Sequence, residues 1–282
     1  MDHYLKQTVF SDPGALDVER LPHDPAELAR LTRDLIIHRG EGERLGYAVP
    51  QQRLHEDAES RYVGEILRVL RERGDGPLTE ARPPEGRFVG TCRDFALLHC
   101  SLLRATGTPA RIRGGFADYF VAGFHECHWV TEYGLPDGSW RLTDPQVLHP
   151  SYEPPFDPLD VPRDRFLVAA DAWRACREGR IDPRCCGFSQ VGHLRGLWYV
   201  RARLLQDLAA RNGVEPLPWD AWGRQVMTDA DLTDDDLALM DAVAAGEVGY
   251  DDPRLAVPDT ITSYTAYAGV RQVTLRRSSP PA

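Results

Sequence analysis

Apolar residues in the first third of the chain recur at helical spacing, as Leu28, Leu31, Leu35 and Ile36 and then as Val63, Ile66, Leu67 and Leu70. Each set predicts a helix with one face against a core. His23-Asp24-Pro25 reads as a cap followed by proline at the first helical position, Gly40 ends that helix, and Gly74 ends the second, predicted over 61–73. A proline-rich connector, 77–87, leads to Gly90-Thr91-Cys92. Beyond it Phe95, Ala96, Leu97, Leu98, Leu102 and Leu103 are apolar on more than one face, which predicts a central helix covered on most sides. The Thr91 hydroxyl is placed to accept a backbone N–H of its first turn, and Gly107-Thr108-Pro109 is placed to stop it.

After this helix the period falls to two. Ala110–Phe116 alternates and predicts a strand, whose Gly114-Gly115 pair implies a bulge or the close approach of another backbone. His128–Tyr133 and Ser139–Thr143 predict two more strands, joined by a loop with Gly134, Pro136, Asp137 and Gly138 that has hairpin chemistry. Residues 147–162 read as loop, and the remainder as helices over 165–178, 194–210 and 234–245. The fold class expected is α+β, a central helix packed on an antiparallel sheet plus additional helices. Three segments are expected: N-terminal helices and core over 1–162, a helical extension packed on the core over 163–272, and a disordered tail over 273–282.

A chain of 282 residues can bury about three quarters of its unfolded surface, so core size is not limiting. Lys+Arg 33 against Asp+Glu 43 gives a net charge of −10, which repels phosphate backbones and argues against a nucleic-acid partner. No stretch of 18 apolar residues occurs, and no apolar run follows Met1-Asp2-His3, so no membrane partner and a cytoplasmic location with reduced thiols are expected. Six cysteines, at 92, 100, 127, 176, 185 and 186, form no CxxC pair.

A cysteine at a helix N-terminus sits where unpaired N–H groups and the macrodipole favour an anion. The dipole contributes about 0.3–1 kcal/mol, against about 1.4 kcal/mol for one pKa unit, so a helix alone leaves such a group mostly thiol at neutral pH. A nucleophilic Cys92 therefore needs an imidazole. His128 opens one predicted strand and Asp144 closes the other, and the ends of a hairpin-linked antiparallel pair are neighbours. An imidazole held by a carboxylate at one ring nitrogen can present the other to a thiol.

The segments GTCRDFALLHCSLLRATGTPARIRGGF, HECHWVTEY and GSWRLTDPQ together resemble the transglutaminase-like superfamily of papain-type thiol enzymes. The match spans about residues 85–150, and the order Cys, His, Asp with separations of 36 and 16 residues fits it. The whole chain further resembles bacterial transglutaminase-like proteins with a helical extension, in VPRDRFLVAADAWRACREG and LPWDAWG. The resemblance implies a papain/transglutaminase-like core in which Cys92 is the nucleophile, His128 the base and Asp144 the orienting residue. It implies acyl transfer through a thioester, forming or cleaving an amide bond, on a small-molecule, peptide or carrier-bound acyl substrate. A cysteine peptidase or deamidase, or a binding or scaffold module with a dormant triad, are the alternatives.

Trp129 would flank such a site, and His125 is a second candidate for contacting substrate. The His125–His128 spacing is loose for a metal, and neither metal nor cofactor is expected. Cys100 and His99 lie two turns along the central helix and read as core, while Cys127, Cys176, Cys185 and Cys186 read as structural thiols.

Overall fold

The computed structural model describes residues 2–265 and 269–278. Its helices are α1 (Pro25–Leu35), α2 (Gln51–Glu56), α3 (Val63–Glu72), α4 (Cys92–Ala105), α5 (Ala169–Arg177), α6 (Leu197–Arg211) and α7 (Asp234–Ala245). The strands are β1 (Ile36–His38), β2 (Phe88–Gly90), β3 (Ala110–Val121), β4 (Phe124–Gly134), β5 (Trp140–Thr143), β6 (Phe166–Val168), β7 (Cys186–Gly187), β8 (Asp220–Ala221), β9 (Thr260–Thr265) and β10 (Gly269–Thr274). No helix among the described residues is long and apolar enough to cross a membrane. The chain divides into two compact units, one of Met1–Ile112, Val130–Val161 and Arg276–Ala282, the other of Arg113–Trp129 and Pro162–Leu275.

In the first unit α4 is the central helix, with every residue from Arg93 to Arg104 buried. Burying its Leu97, Leu98, Leu102 and Leu103 side chains contributes about 1.5–3 kcal/mol each before entropy is counted. Around it pack α1, α3 and the parallel pair β1–β2. The Asp24 carboxylate accepts the N–H groups of Ala26 at 2.7 Å and Glu27 at 3.1 Å, which starts α1 where the sequence places it. Strand β5 pairs antiparallel with β4, Thr143 opposite Thr131, and the Thr131 hydroxyl donates to the Ala96 carbonyl at 3.1 Å, fastening α4 to this sheet.

In the second unit α5, α6 and α7 enclose Trp173, Leu204, Met240 and Leu255. A Cβ on Gly115 would stand 2.2 Å from the Leu167 carbonyl oxygen of β6, so the glycine exists for the close approach the sequence implies. Asp207, fully buried, accepts from Arg113 at 2.9 and 3.1 Å and from the Gly114 N–H at 3.0 Å.

Four expectations are corrected. The extension is not only helical, since β6 to β10 belong to it and β8, β9 and β10 form an antiparallel sheet. In β9 the alternate residues Ile261, Ser263 and Thr265 are buried, a period-two pattern with two polar members that hydrophobicity alone does not mark. The helix expected from residue 165 begins at Ala169, because Phe166–Val168 pair with Gly115–Ala117. The core expected over 1–162 loses residues 113–129 to the second unit. The tail expected over 273–282 is ordered at its start: Val273 and Thr274 finish β10, and Arg276 donates its N–H to the Tyr62 hydroxyl at 2.9 Å and pairs with Glu65 at 2.6 Å. Residues 279–282 of that tail lie outside the described residues.

Candidate active site

Cys92 is the first residue of α4, a half-buried free thiol heading an otherwise buried helix. The turn beneath it is held from two sides. The Asp94 carboxylate accepts both the N–H of Thr91 at 2.8 Å and its hydroxyl at 3.0 Å, and Arg93 donates to Asp94 at 3.1 Å and to the Arg61 carbonyl at 2.6 Å. Thr91 and Asp94 thus close a reciprocal capping box, the Thr91 side chain taking the Asp94 backbone N–H as the sequence predicts while its hydroxyl also donates to the Asp94 carboxylate. Burial raises the Asp94 pKa above its ordinary value, opposed by Arg93 and by the Thr91 bonds.

Asp144 follows β5 directly and caps the short 3-10 turn Pro145–Leu148, its carboxylate accepting the Gln146 N–H at 3.1 Å while its own N–H donates to the Pro158 carbonyl at 2.9 Å. That turn packs against both α4 and α1. Behind it the Gln146 amide donates to the Tyr152 hydroxyl at 3.3 Å, Tyr152 donates to Glu41 at 2.7 Å, and the buried Glu41 also accepts from Arg33 at 2.6 Å and from the His38 N–H at 2.5 Å. Burial, with help from the Glu41 charge, raises the Tyr152 pKa, so the phenol stays a donor. Sequence reasoning does not find this support: its members lie far apart in the chain, and no periodicity relates them.

His128 belongs to the second unit, on β4, and is 2 % exposed. β4 begins at Phe124, so His128 lies inside the strand and does not open it as the sequence predicts. Aromatic edges and faces surround its ring: Phe120 at 4.8 Å between centroids, Tyr119 at 6.0 Å and Phe166 at 6.3 Å, with interplanar angles of 63°, 85° and 75°. These three rings were not anticipated from the sequence, although Tyr119 and Phe120 close the strand that precedes it.

The two candidates for substrate contact are placed differently. Trp129 is 1 % exposed, with the Arg203 guanidinium 5.5 Å from its ring and with Gly114 tight against that ring, so it packs the interior and offers no open face to a ligand. His125 is half-buried on β4 opposite Cys186; burial lowers its pKa against the opposing charge of Asp118, and its Nδ1 has no hydrogen-bond partner in this structure. Of the proposed set, Cys92 and Asp144 fall in the first unit, and His128, His125 and Trp129 in the second.

Residues 59–145 match the transglutaminase-like superfamily. No curated protein matches the chain. Among solved structures the chain is similar to one from Cytophaga hutchinsonii named a "putative cysteine protease", at 18% identity and a TM-score of 0.21, over 59% of this chain and 55% of that one. This chain therefore matches little more than half the length of that protein. Residues 59–145, which carry Cys92, His128 and Asp144 in that order, are the part of the chain that is similar to the transglutaminase-like superfamily, whose members are in general cysteine-dependent enzymes.

Proposed function

We propose that the protein is a cysteine acyltransferase or amidohydrolase working through a thioester. The Cys92 sulfur attacks the carbonyl carbon of an amide or ester, His128 takes the thiol proton and returns it to the leaving amine or alcohol, and Asp144 holds the imidazole in the tautomer that can do both. A bound amine or water then attacks the thioester, again losing its proton to His128, and the acyl group leaves as a new amide or as an acid. The backbone N–H of Cys92 is the first donor available to the oxyanion, worth about 10²–10³ in rate where such a donor is removed. The acyl donor is a small molecule, a peptide or a carrier-bound acyl group.

One observation carries this reading: Cys92 is the half-exposed first residue of a helix whose following twelve residues are all buried, within the segment that matches a superfamily of thiol enzymes. Structural cysteines are usually inside such a helix, as Cys100 is. The test is labelling of the full chain with a limiting dose of iodoacetamide at neutral pH, read by peptide mass, together with intact-mass capture of a thioester from synthetic carrier-bound acyl groups. The adduct and the thioester should both sit on Cys92 and vanish in Cys92→Ala. Equal labelling of the alanine variant would overturn the proposal.

A further inference from the structure

None of the six cysteines is in a disulfide, yet two of them touch: the sulfurs of Cys176 and Cys186 are 4.0 Å apart, both inside the core of the second unit. Cys176 sits in the last turn of α5 and Cys186 is the first residue of β7, ten positions on. The segment between them is itself tied down. Gly179 donates to the Cys176 carbonyl at 3.1 Å and has a φ of +71°, and the Asp182 carboxylate caps the turn Pro183–Cys185 by accepting the Arg184 N–H at 2.9 Å. The Cys186 carbonyl accepts the Gly196 N–H at 3.1 Å, and β7 pairs with β4 at His125 and Glu126. Both ends are therefore held, and the two sulfurs need close by only about 2 Å to reach bonding distance.

We propose that Cys176 and Cys186 form a reversible disulfide, with a low-molecular-weight disulfide as the oxidant. The Cys176 thiolate attacks one sulfur of that reagent, which breaks the reagent's S–S bond, forms a mixed disulfide on Cys176 and expels a thiolate. That thiolate takes the Cys186 proton, and the Cys186 sulfur displaces the second thiolate from Cys176. The two protein thiols lose two electrons and two protons, and the reagent leaves as two thiols.

The order of attack follows from placement. Cys176 is 9% exposed and Cys186 wholly buried, so the reagent meets Cys176 first. The contact between the two sulfurs, in which either can donate, lowers the Cys176 thiol pKa from its ordinary value, while that same contact and then burial raise Cys186. The attacking and resolving roles are thus already divided. The bond would fasten α5 to the strand beside His125 and Glu126, and the product adds no polar group to an apolar core.

The experiment treats the full chain, in a Cys92→Ala background to keep that thiol out of the count, with excess glutathione disulfide and then removes the reagent. Intact mass should fall by two hydrogens and two thiols should disappear. Trypsin should release 175–177 joined to 185–195, and dithiothreitol should reverse the change. Because the second peptide holds both Cys185 and Cys186, the same link must persist in Cys185→Ser and be lost in both Cys176→Ser and Cys186→Ser. A link that disappears with Cys185→Ser, a mixed glutathione adduct on Cys176 that does not close, or no loss of thiols would each overturn the proposal.

Discussion

Tyr152 donates its hydroxyl to Glu41 at 2.7 Å across 111 residues of sequence, and this bond ties the loop after Asp144 to the turn that follows β1. Glu41 is 1% exposed, and its other oxygen is committed to Arg33 and to the His38 N–H. A hydrogen bond to a buried charge contributes about 1.5–3 kcal/mol, so Tyr152→Phe should lower the stability of unfolding by about that much in urea. Glu41→Ala should cost more, about 3–5 kcal/mol, because it leaves the buried Arg33 without its carboxylate. A Tyr152→Phe variant that unfolds at the same urea concentration as the parent would show that the phenol contributes nothing of its own.

Asp144 has two roles that one variant separates. Asp144→Asn keeps an oxygen to accept the Gln146 N–H, so the turn should survive with stability nearly unchanged, while Cys92 labelling slows at neutral pH. Asp144→Ala removes the cap as well and should cost about 1 kcal/mol in addition. Parent-like labelling of the asparagine variant at every pH would remove Asp144 from the proposed mechanism.

His99 predicts an acid sensitivity of the fold. It is fully buried on α4, its Nε2–H donates to the Pro25 carbonyl at 3.2 Å, and burial pushes its pKa from 6.5 down to about 4 against the opposing effect of that bond. The unfolded chain therefore binds the proton more readily than the folded one, so stability falls as pH drops from about 6.5 to about 4. A shift of this size corresponds to about 3 kcal/mol at its full extent. His99→Asn removes the titration, and the difference between parent and variant stability should narrow through that window. A difference that stays constant with pH would mean that His99 is not held neutral by the fold.

Two glycines should respond to alanine with opposite signs. At Gly115 the new Cβ would lie 2.2 Å from the Leu167 carbonyl oxygen, which the β3–β6 pair cannot accommodate, so Gly115→Ala should destabilise by about 3 kcal/mol or more. At Gly64, in the first turn of α3, the nearest atom is the Asp12 carbonyl oxygen at an ordinary 3.8 Å. Gly64→Ala should stabilise by about 0.5–1 kcal/mol, since it removes backbone freedom from the unfolded chain. Thermal or urea unfolding of both variants checks the pair, and destabilisation by Gly64→Ala would contradict the space the structure shows there.

The amino-acid order by itself determined what short-range physics controls. Asp24-Pro25 starts α1, Thr91-Cys92 starts α4, and an apolar period of 3.6 or 2 names most of the other elements. The same order put Cys92 at a helix head and carries the resemblance of residues 59–145 to the transglutaminase-like superfamily, because a capped turn and a glycine exit are local features. Tertiary structure alone decided the rest. It set the start of α5, because Phe166–Val168 pair with β3; the strand β9, because its buried face includes serine and threonine; and the aromatic enclosure of His128. It also decided that Trp129 is interior, that Glu41 reaches Tyr152, and that Cys176 meets Cys186. The physical reason is common to all of these: a contact between residues distant in the chain depends on which surfaces the elements bury together, and that choice leaves no period in the sequence.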